Sequence, residues 1–232
     1  MKILIAADME GVTGVVNWDH VSSEHAEYQR FRRLMTDDVN AAIRGVFQEG
    51  AKEVIVSDGH GDGRNLLIEE LDPRARLNAG RPSPFAMVEG IDSGVDAAMF
   101  VGYHARAGAP QAILSHTWSG KRVSRVWLDR QEVGEIGLNG AVCGHFEAPV
   151  IMISGDQTTC ARRPKCWARS KRRWSRQRRA DWRPSACRRR RPSKPSTRPS
   201  REPCTGSGRA RPRRPSASKR RSPWPSSSSR RR

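Results

Sequence analysis

No stretch of this sequence approaches the roughly 18 consecutive apolar residues of a membrane-spanning helix, and the apolar run at residues 3–7 is shorter than the core of a secretory signal. A cytoplasmic protein with no membrane partner is expected. Cysteine is scarce: the chain has 5 in 232 residues and no Cys-x-x-Cys pair. Cys143 and Cys160 lie in the first part of the chain, and Cys166, Cys187 and Cys204 are scattered through the last, which does not make a disulfide framework.

Beyond residue 161 the chain has no Ile, Leu, Val, Met or Phe. Such a segment has almost nothing to offset the roughly 1–2 kcal/mol per residue that backbone ordering costs, so residues 162–232 are expected to be a disordered Arg/Pro/Ser-rich tail. Acidic residues are nearly missing there too: of 24 Asp and Glu only Asp181 and Glu202 fall in it, against 28 of the 43 Lys and Arg. The net charge of +19 therefore splits into −7 for residues 1–161 and +26 for the tail. The basic balance says nothing about partners of the globular part.

Two readings of the tail compete. A genuine basic tail would bind nucleic acid through its arginines, with Trp167, Trp174, Trp182 and Trp224 stacking on bases. The other, and the expected one, is a slipped reading frame, because GC-rich DNA in a wrong frame yields this Arg, Pro, Ala, Ser and Trp vocabulary. Back-translated with permitted codons, Arg162-Arg163-Pro164-Lys165-Cys166-Trp167-Ala168 hides Glu-Ala-Gln-Met-Leu-Gly-Pro in another frame, a helix-forming segment. Nucleic acid is a partner only if the tail is genuine.

Residues 1–161 read as a single α/β domain with a mostly parallel central sheet flanked by helices. Residues 2–7 form a buried strand. Residues 22–50 carry Phe31, Leu34, Met35, Val39, Ala42, Ile43 and Phe47 at spacings of three and four, which predicts an amphipathic helix ending at Gly50. A strand at 53–57 completes a βαβ unit, expected to be parallel. A short helix is predicted near 66–71, a Pro- and Arg-rich connection over 73–84, and a strand at 97–102. Residues 123–128 and 131–134 read as strands joined by an Asp129-Arg130 turn, followed by a helix at 136–146 and a strand at 149–154.

Three of the apolar strands run into residues that ligate metals through oxygen or nitrogen: Asp8 with Glu10, His60, and His104. Ligands of open α/β sheets sit beyond the carboxyl ends of the strands, so these side chains are expected to converge. Mixed nitrogen and carboxylate donors without thiolates suit Zn²⁺. Two metals need further carboxylates, at least one of them bridging, and Glu132 and Glu135 are both candidates. Asp58 and Asn139 either orient ligands or cap the following turn or helix. On these residues alone, a dinuclear metallohydrolase acting on amides or phosphoesters is equally open.

Asp8-Met9-Glu10-Gly11, Ser57-Asp58-Gly59-His60, Gly102-Tyr103-His104-Ala105-Arg106, Ser115-His116, Val133-Gly134-Glu135-Ile136-Gly137-Leu138-Asn139 and the segment Pro84-Phe85-Ala86-Met87-Val88-Glu89-Gly90 together resemble the DppA-type D-aminopeptidase family of zinc metallopeptidases. The resemblance covers residues 1 to about 161. It implies two zinc ions per subunit, with Asp8 bridging, Glu10 and His104 completing one metal, and His60 and Glu135 the other; Glu135 is thereby selected over Glu132. It also implies that His116 is catalytic, assigned in the family as a nucleophile, although a proton shuttle or stabiliser of the tetrahedral intermediate is the chemically preferable role. The implied activity is that of an aminopeptidase on short peptides with an N-terminal D-amino acid, such as D-Ala-D-Ala. The implied assembly is a homo-oligomeric ring. Family members continue into a second part that helps form the pocket and the assembly, where this chain carries the arginine-rich tail.

Overall fold

The computed structural model describes residues 1–161 and 171–174, all within one compact unit, Met1–Pro184; the second unit, Ser185–Arg232, lies outside the described residues. Strands β1 (Lys2–Ala7), β2 (Glu53–Asp58), β3 (Ala75–Asn78), β4 (Ala97–Tyr103), β7 (Val150–Gly155) and β8 (Lys171–Trp174) form one sheet in the order β3-β2-β1-β4-β7-β8. Every neighbouring pair is parallel. The short strands β5 (Val126–Leu128) and β6 (Gln131–Val133) make a separate antiparallel hairpin. Its turn residues Asp129 and Arg130 both have φ in the left-handed region, at 45° and 63°, as a two-residue hairpin turn matched to strand twist requires.

A parallel sheet is covered on both faces, so its central strands are apolar at every position rather than at alternate ones. In β1, Ile3, Ile5 and Ala7 join the core beneath helix α1 (Tyr28–Gln48), which contributes Phe31, Met35, Val39 and Ile43. Leu4 and Ala6 join the opposite core with Phe100, Tyr103 and Cys143, the last from helix α2 (Glu135–His145). Helix α1 starts six residues later than its apolar pattern suggested, because residues 22–27 close successive turns instead, with the His25 amide on the Ser22 carbonyl and the Tyr28 amide on His25.

Two elements depart from the sequence reading. The helix expected near residues 66–71 is a series of turns: the Leu66 amide donates to the Asp58 carboxylate, Leu67 to the Thr36 hydroxyl and Asp72 to the Asn40 side chain, so side chains replace the main-chain ladder. The Pro- and Arg-rich connection contains β3, an edge strand whose Arg76 faces solvent and pairs with Glu53. Charge at an edge is normal and hides the strand from a hydropathy reading. A short helix, α3 (Gln157–Ala161), follows β7. Of the expected tail, the four residues of β8 extend the sheet and the other positions, with the tail tryptophans 167, 182 and 224, lie outside the described residues. No helix among the described residues is long and apolar enough to cross a membrane.

The chain fills one side of the sheet as β1, β2, β3 and then returns to fill the other as β4, β7, β8. The order reverses between β1 and β4, and a crevice opens at their carboxyl ends. There the two strand tips approach so closely that only glycine fits. The Gly11 amide bonds the Gly102 carbonyl at 2.7 Å and the Asp8 amide bonds Val101 at 2.8 Å. A Cβ on Gly11 would lie 1.9 Å from the Tyr103 carbonyl oxygen, and one on Gly102, whose φ is +73°, would lie 2.2 Å from that of Asp8.

Candidate metal centre

This junction places Asp8 and Glu10, from the tip of β1, beside His104, from the tip of β4. His60 enters from the loop after β2, and Glu135 from the first turn of α2. All but His60 are buried, with Asp8, Glu10, His104 and Glu135 at 2%, 3%, 2% and 6% exposure. His60 Nδ1 lies 3.1 Å from Glu10 Oε2 and 3.5 Å from Asp8 Oδ1. His104 Nε2 lies 3.4 Å from both Asp8 Oδ2 and Glu135 Oε1. His116 joins the group, its Nε2 3.8 Å from Glu10 Oε1 and 3.9 Å from Glu135 Oε1, its ring stacked on His104 at 4.0 Å.

The second nitrogen of each imidazole is occupied by a main-chain carbonyl. His60 Nε2 donates to Val21 (2.8 Å), His104 Nδ1 to Ala105 (3.0 Å) and His116 Nδ1 to Leu114 (3.0 Å). With one N–H fixed in this way, each neutral ring aims a bare lone pair at carboxylate oxygens, which repel it unless a cation or a proton stands between. Two of the atoms involved, Asp8 Oδ2 and His104 Nε2, are buried with no hydrogen-bond partner. The donors of Asp8, Glu10 and His104, and those of His104, His116 and Glu135, lie within 4.8 Å of one another in each set. Ligand atoms about 2.1 Å from a tetrahedral zinc ion sit about 3.4 Å apart, close to the separations found here. The residues fit a divalent cation.

Held without metal, the cluster must keep protons in its place. Burial and the nearby Glu10 push the Asp8 carboxyl up to about 7. Burial alone would discourage charge on His104, but the carboxylates of Glu135, Asp8 and Glu10 around it prevail and raise it to about 10. The same contest, with Glu10 and Asp8 winning over burial, raises His60 well above the usual imidazole range. Glu10 and Glu135 are held below the usual carboxylate range against burial, mainly by His60 and by His104 respectively.

The supporting groups are partly ones that the sequence did not single out. Asp58 caps the turn after β2, its Oδ2 accepting the amides of Asn65 (2.6 Å) and Leu66 (2.7 Å). Asn65 in turn donates to the Asp58 carboxylate and to the His60 carbonyl, and accepts from the Tyr28 hydroxyl. Asp58 thus steadies the turn that bears His60 without touching the ring. Asn139 donates to Met87 sulfur and the Tyr103 hydroxyl, beneath the cluster. Glu132 turns away to pair with Arg106 at 2.8 Å, whereas Glu135 accepts the Trp118 amide at 2.7 Å. A cleft of about 340 Å³ opens on the cluster, lined by Asp8, Glu10, His60, His116 and Glu135, with Arg81 and Trp118 among its other walls.

A switch-point crevice with three buried carboxylates and three imidazoles of fixed tautomer defines a metal-binding type of α/β domain. The sequence profile of the D-aminopeptidase family matches residues 1–175, and the chain belongs to that family. A D-aminopeptidase of Bacillus subtilis (strain 168) is 40% identical over 156 residues, which is 67% of this chain and 56% of that protein. Among solved structures, the Zn-dependent D-aminopeptidase DppA from Bacillus subtilis, a self-compartmentalizing protease, matches with a TM-score of 0.67 and 39% identity over 69% of this chain and 58% of that one. The chain thus spans a little over half the length of these relatives. The family match also runs past residue 161, where the resemblance in the sequence fades.

Proposed function

We propose that this chain is a zinc-dependent aminopeptidase acting on short peptides with an N-terminal D-amino acid, D-Ala-D-Ala among them. The observation that carries the reading is the set of three imidazoles, each tied by one nitrogen to a carbonyl and aiming the other at buried carboxylates. Two zinc ions would be held by Asp8, Glu10, His60, His104 and Glu135, with Asp8 shared. Glu10 and His104 would complete one ion, a grouping supported by the Asp8, Glu10 and His104 donors lying within 4.8 Å of one another, and His60 and Glu135 would complete the other. Bound zinc supplies Lewis acidity and brings the pKa of water to about 7.

The chain's own groups do the rest. His116, its Nδ1–H held by Leu114, presents Nε2 to the cleft as the catalytic acceptor and donor of a proton, taking one from the water that attacks the peptide carbonyl and giving it to the amine as the C–N bond breaks. The cleft of about 340 Å³ has room for a short peptide beside these groups. With the second part of the family chain intact, a homo-oligomer is proposed, working in the cytoplasm, as supported by the self-compartmentalizing Bacillus subtilis neighbour.

Glu135→Gln and Glu132→Gln separate the two neighbouring carboxylates. Zinc content by mass spectrometry and D-alanine release from D-Ala-D-Ala are expected to fall at least 100-fold for Glu135→Gln and to stay within twofold for Glu132→Gln. Equal loss in both, or in neither, rejects the ligand set. We also propose that residues 1–161 are the family domain and that the codons from 162 are read out of frame; sequencing the genomic locus is expected to reveal an insertion or deletion near codon 162, and an intact frame there rejects this.

A further inference from the structure

The loop that carries His116 is held in an unfavourable shape. Three non-glycine residues in it, Gln111, Leu114 and Trp118, have φ of 57°, 50° and 57°, in the left-handed region that side chains disfavour. Such a conformation persists only where the surroundings over-determine it. The His116 amide on the Ala105 carbonyl, at 3.3 Å, fixes one end. The other restraint comes from outside the loop. Asp156, between β7 and α3, is 5% exposed and its carboxylate is divided between two amides. Oδ1 accepts the Thr159 amide of its own helix at 2.7 Å, and Oδ2 accepts the Ile113 amide, 43 residues earlier in the chain, at 2.5 Å. Thr158 adds a second tie, its hydroxyl donating to the Gln111 carbonyl at 2.7 Å.

These ties grip the loop on either side of residue 112, next to the carbonyl of Leu114 that sets the tautomer of His116. Strand β7, which ends just before Asp156, is in register with β4, Gly155 opposite Tyr103, so the clamp is built at the strand tip next to the one that carries His104. We propose that Asp156, assisted by Thr158, is the positioning residue for His116: it holds the 111–114 segment so that His116 keeps its Nδ1–H on Leu114 and its Nε2 in the cleft. The proposal rests on the reading of His116 as a site residue and adds a group that acts on it only through the main chain.

The Asp156→Asn substitution keeps the shape but puts an NH₂ where one carboxylate oxygen accepted an amide, so one of the two amides loses its acceptor. In the full chain, hydrogen–deuterium exchange of the peptide spanning residues 106–118 is expected to quicken at least tenfold in Asp156→Asn, with peptides of β1 and β4 unchanged. Long-range ¹H–¹⁵N spectra of the His116 ring are expected to change from a single Nδ1–H tautomer to a mixture. General loss of stability would raise exchange everywhere and leave the tautomer alone. Wild-type loop exchange and an unchanged His116 signature in folded Asp156→Asn overturn the proposal. Should that variant not fold, Thr158→Val is read by the same two signals, and an unchanged loop in it is equally fatal. Turnover of D-Ala-D-Ala is measured alongside, where the clamp predicts a lower kcat at constant KM. A wild-type chain with no turnover counts against the aminopeptidase reading, while exchange and tautomer still decide the clamp.

Discussion

Gly11→Ala and Gly102→Ala are each expected to abolish the cooperative fold, with a loss above about 4 kcal/mol out of the 5–15 kcal/mol typical of a domain. The reason is geometric. The added methyl carbon would sit 1.9 Å from a main-chain oxygen at Gly11 and 2.2 Å from one at Gly102, distances that only a separation of the two strand tips can relieve. Gly102 carries a second penalty, since its φ of +73° is one that alanine resists. Separating β1 from β4 removes the hydrogen bonds from Asp8 and Gly11 that hold the donors together. The matched control is Gly45→Ala, in the last turn of α1 with nothing within 4 Å of the new carbon; it should be neutral or stabilise by up to about 0.5 kcal/mol. Urea titrations followed by circular dichroism read all three, and a Gly11→Ala chain that unfolds like wild type would show that the strand tips are not in contact.

Stripping metal with a chelator is expected to leave a chain whose stability drops steeply from pH 7 to pH 10, while the zinc-loaded chain stays nearly flat over that range. The sign follows from the three raised groups, of which His60 and His104 govern the alkaline range. Asp8 binds its proton more tightly folded than unfolded, having moved from 3.8 to about 7, so its contribution is complete below about pH 4 and gone above pH 7. His104, moved from 6.5 to about 10, stabilises fully below pH 6.5 and loses that contribution as pH rises through 10. Glu10 and Glu135, shifted the other way, matter only in acid. At 1.36 kcal/mol per pKa unit the alkaline loss is on the order of 3 kcal/mol after allowance for coupling. Zinc takes the place of those protons, so its binding should release protons at pH 7 and weaken as the solution is acidified. Calorimetric titrations in buffers of different ionisation enthalpy count the protons, and thermal melts at pH 7 and 10 test the slope. A metal-free chain with the same melting temperature at both would exclude the protonated cluster described here.

The parts of this centre that were legible in the sequence are those written in side chains at strand ends. Asp8, Glu10, His60 and His104 each follow an apolar run long enough to read as a buried strand, and the sheet brings all four together. Choosing Glu135 over Glu132 needed the family pattern, because the two are three residues apart and only the fold shows that Glu132 is consumed by Arg106. What stayed hidden is written in the main chain: the carbonyls of Val21, Ala105 and Leu114 that fix the tautomers, the Trp118 amide on Glu135, and the division of Asp156 between two amides. Every residue has those groups, so composition and spacing carry no trace of which are used. Asn65 was overlooked for a related reason: it looks like any turn asparagine until its four hydrogen bonds, to Tyr28, Asp58 and His60, are counted together. Strand β3 escaped because an edge needs little hydrophobicity.

Trp118 grips Glu135 through its peptide nitrogen, while its indole stands 64% exposed at the mouth of the cleft. The two halves of this residue are therefore separable. With φ at 57°, asparagine or glycine would sit there more comfortably than tryptophan, and either would keep the grip; proline alone would break it. The entrance can thus be repainted, bulky or small, greasy or polar, while the donors behind it stay where they are, and a collection of variants at this one position separates what the cleft admits from what its donors hold.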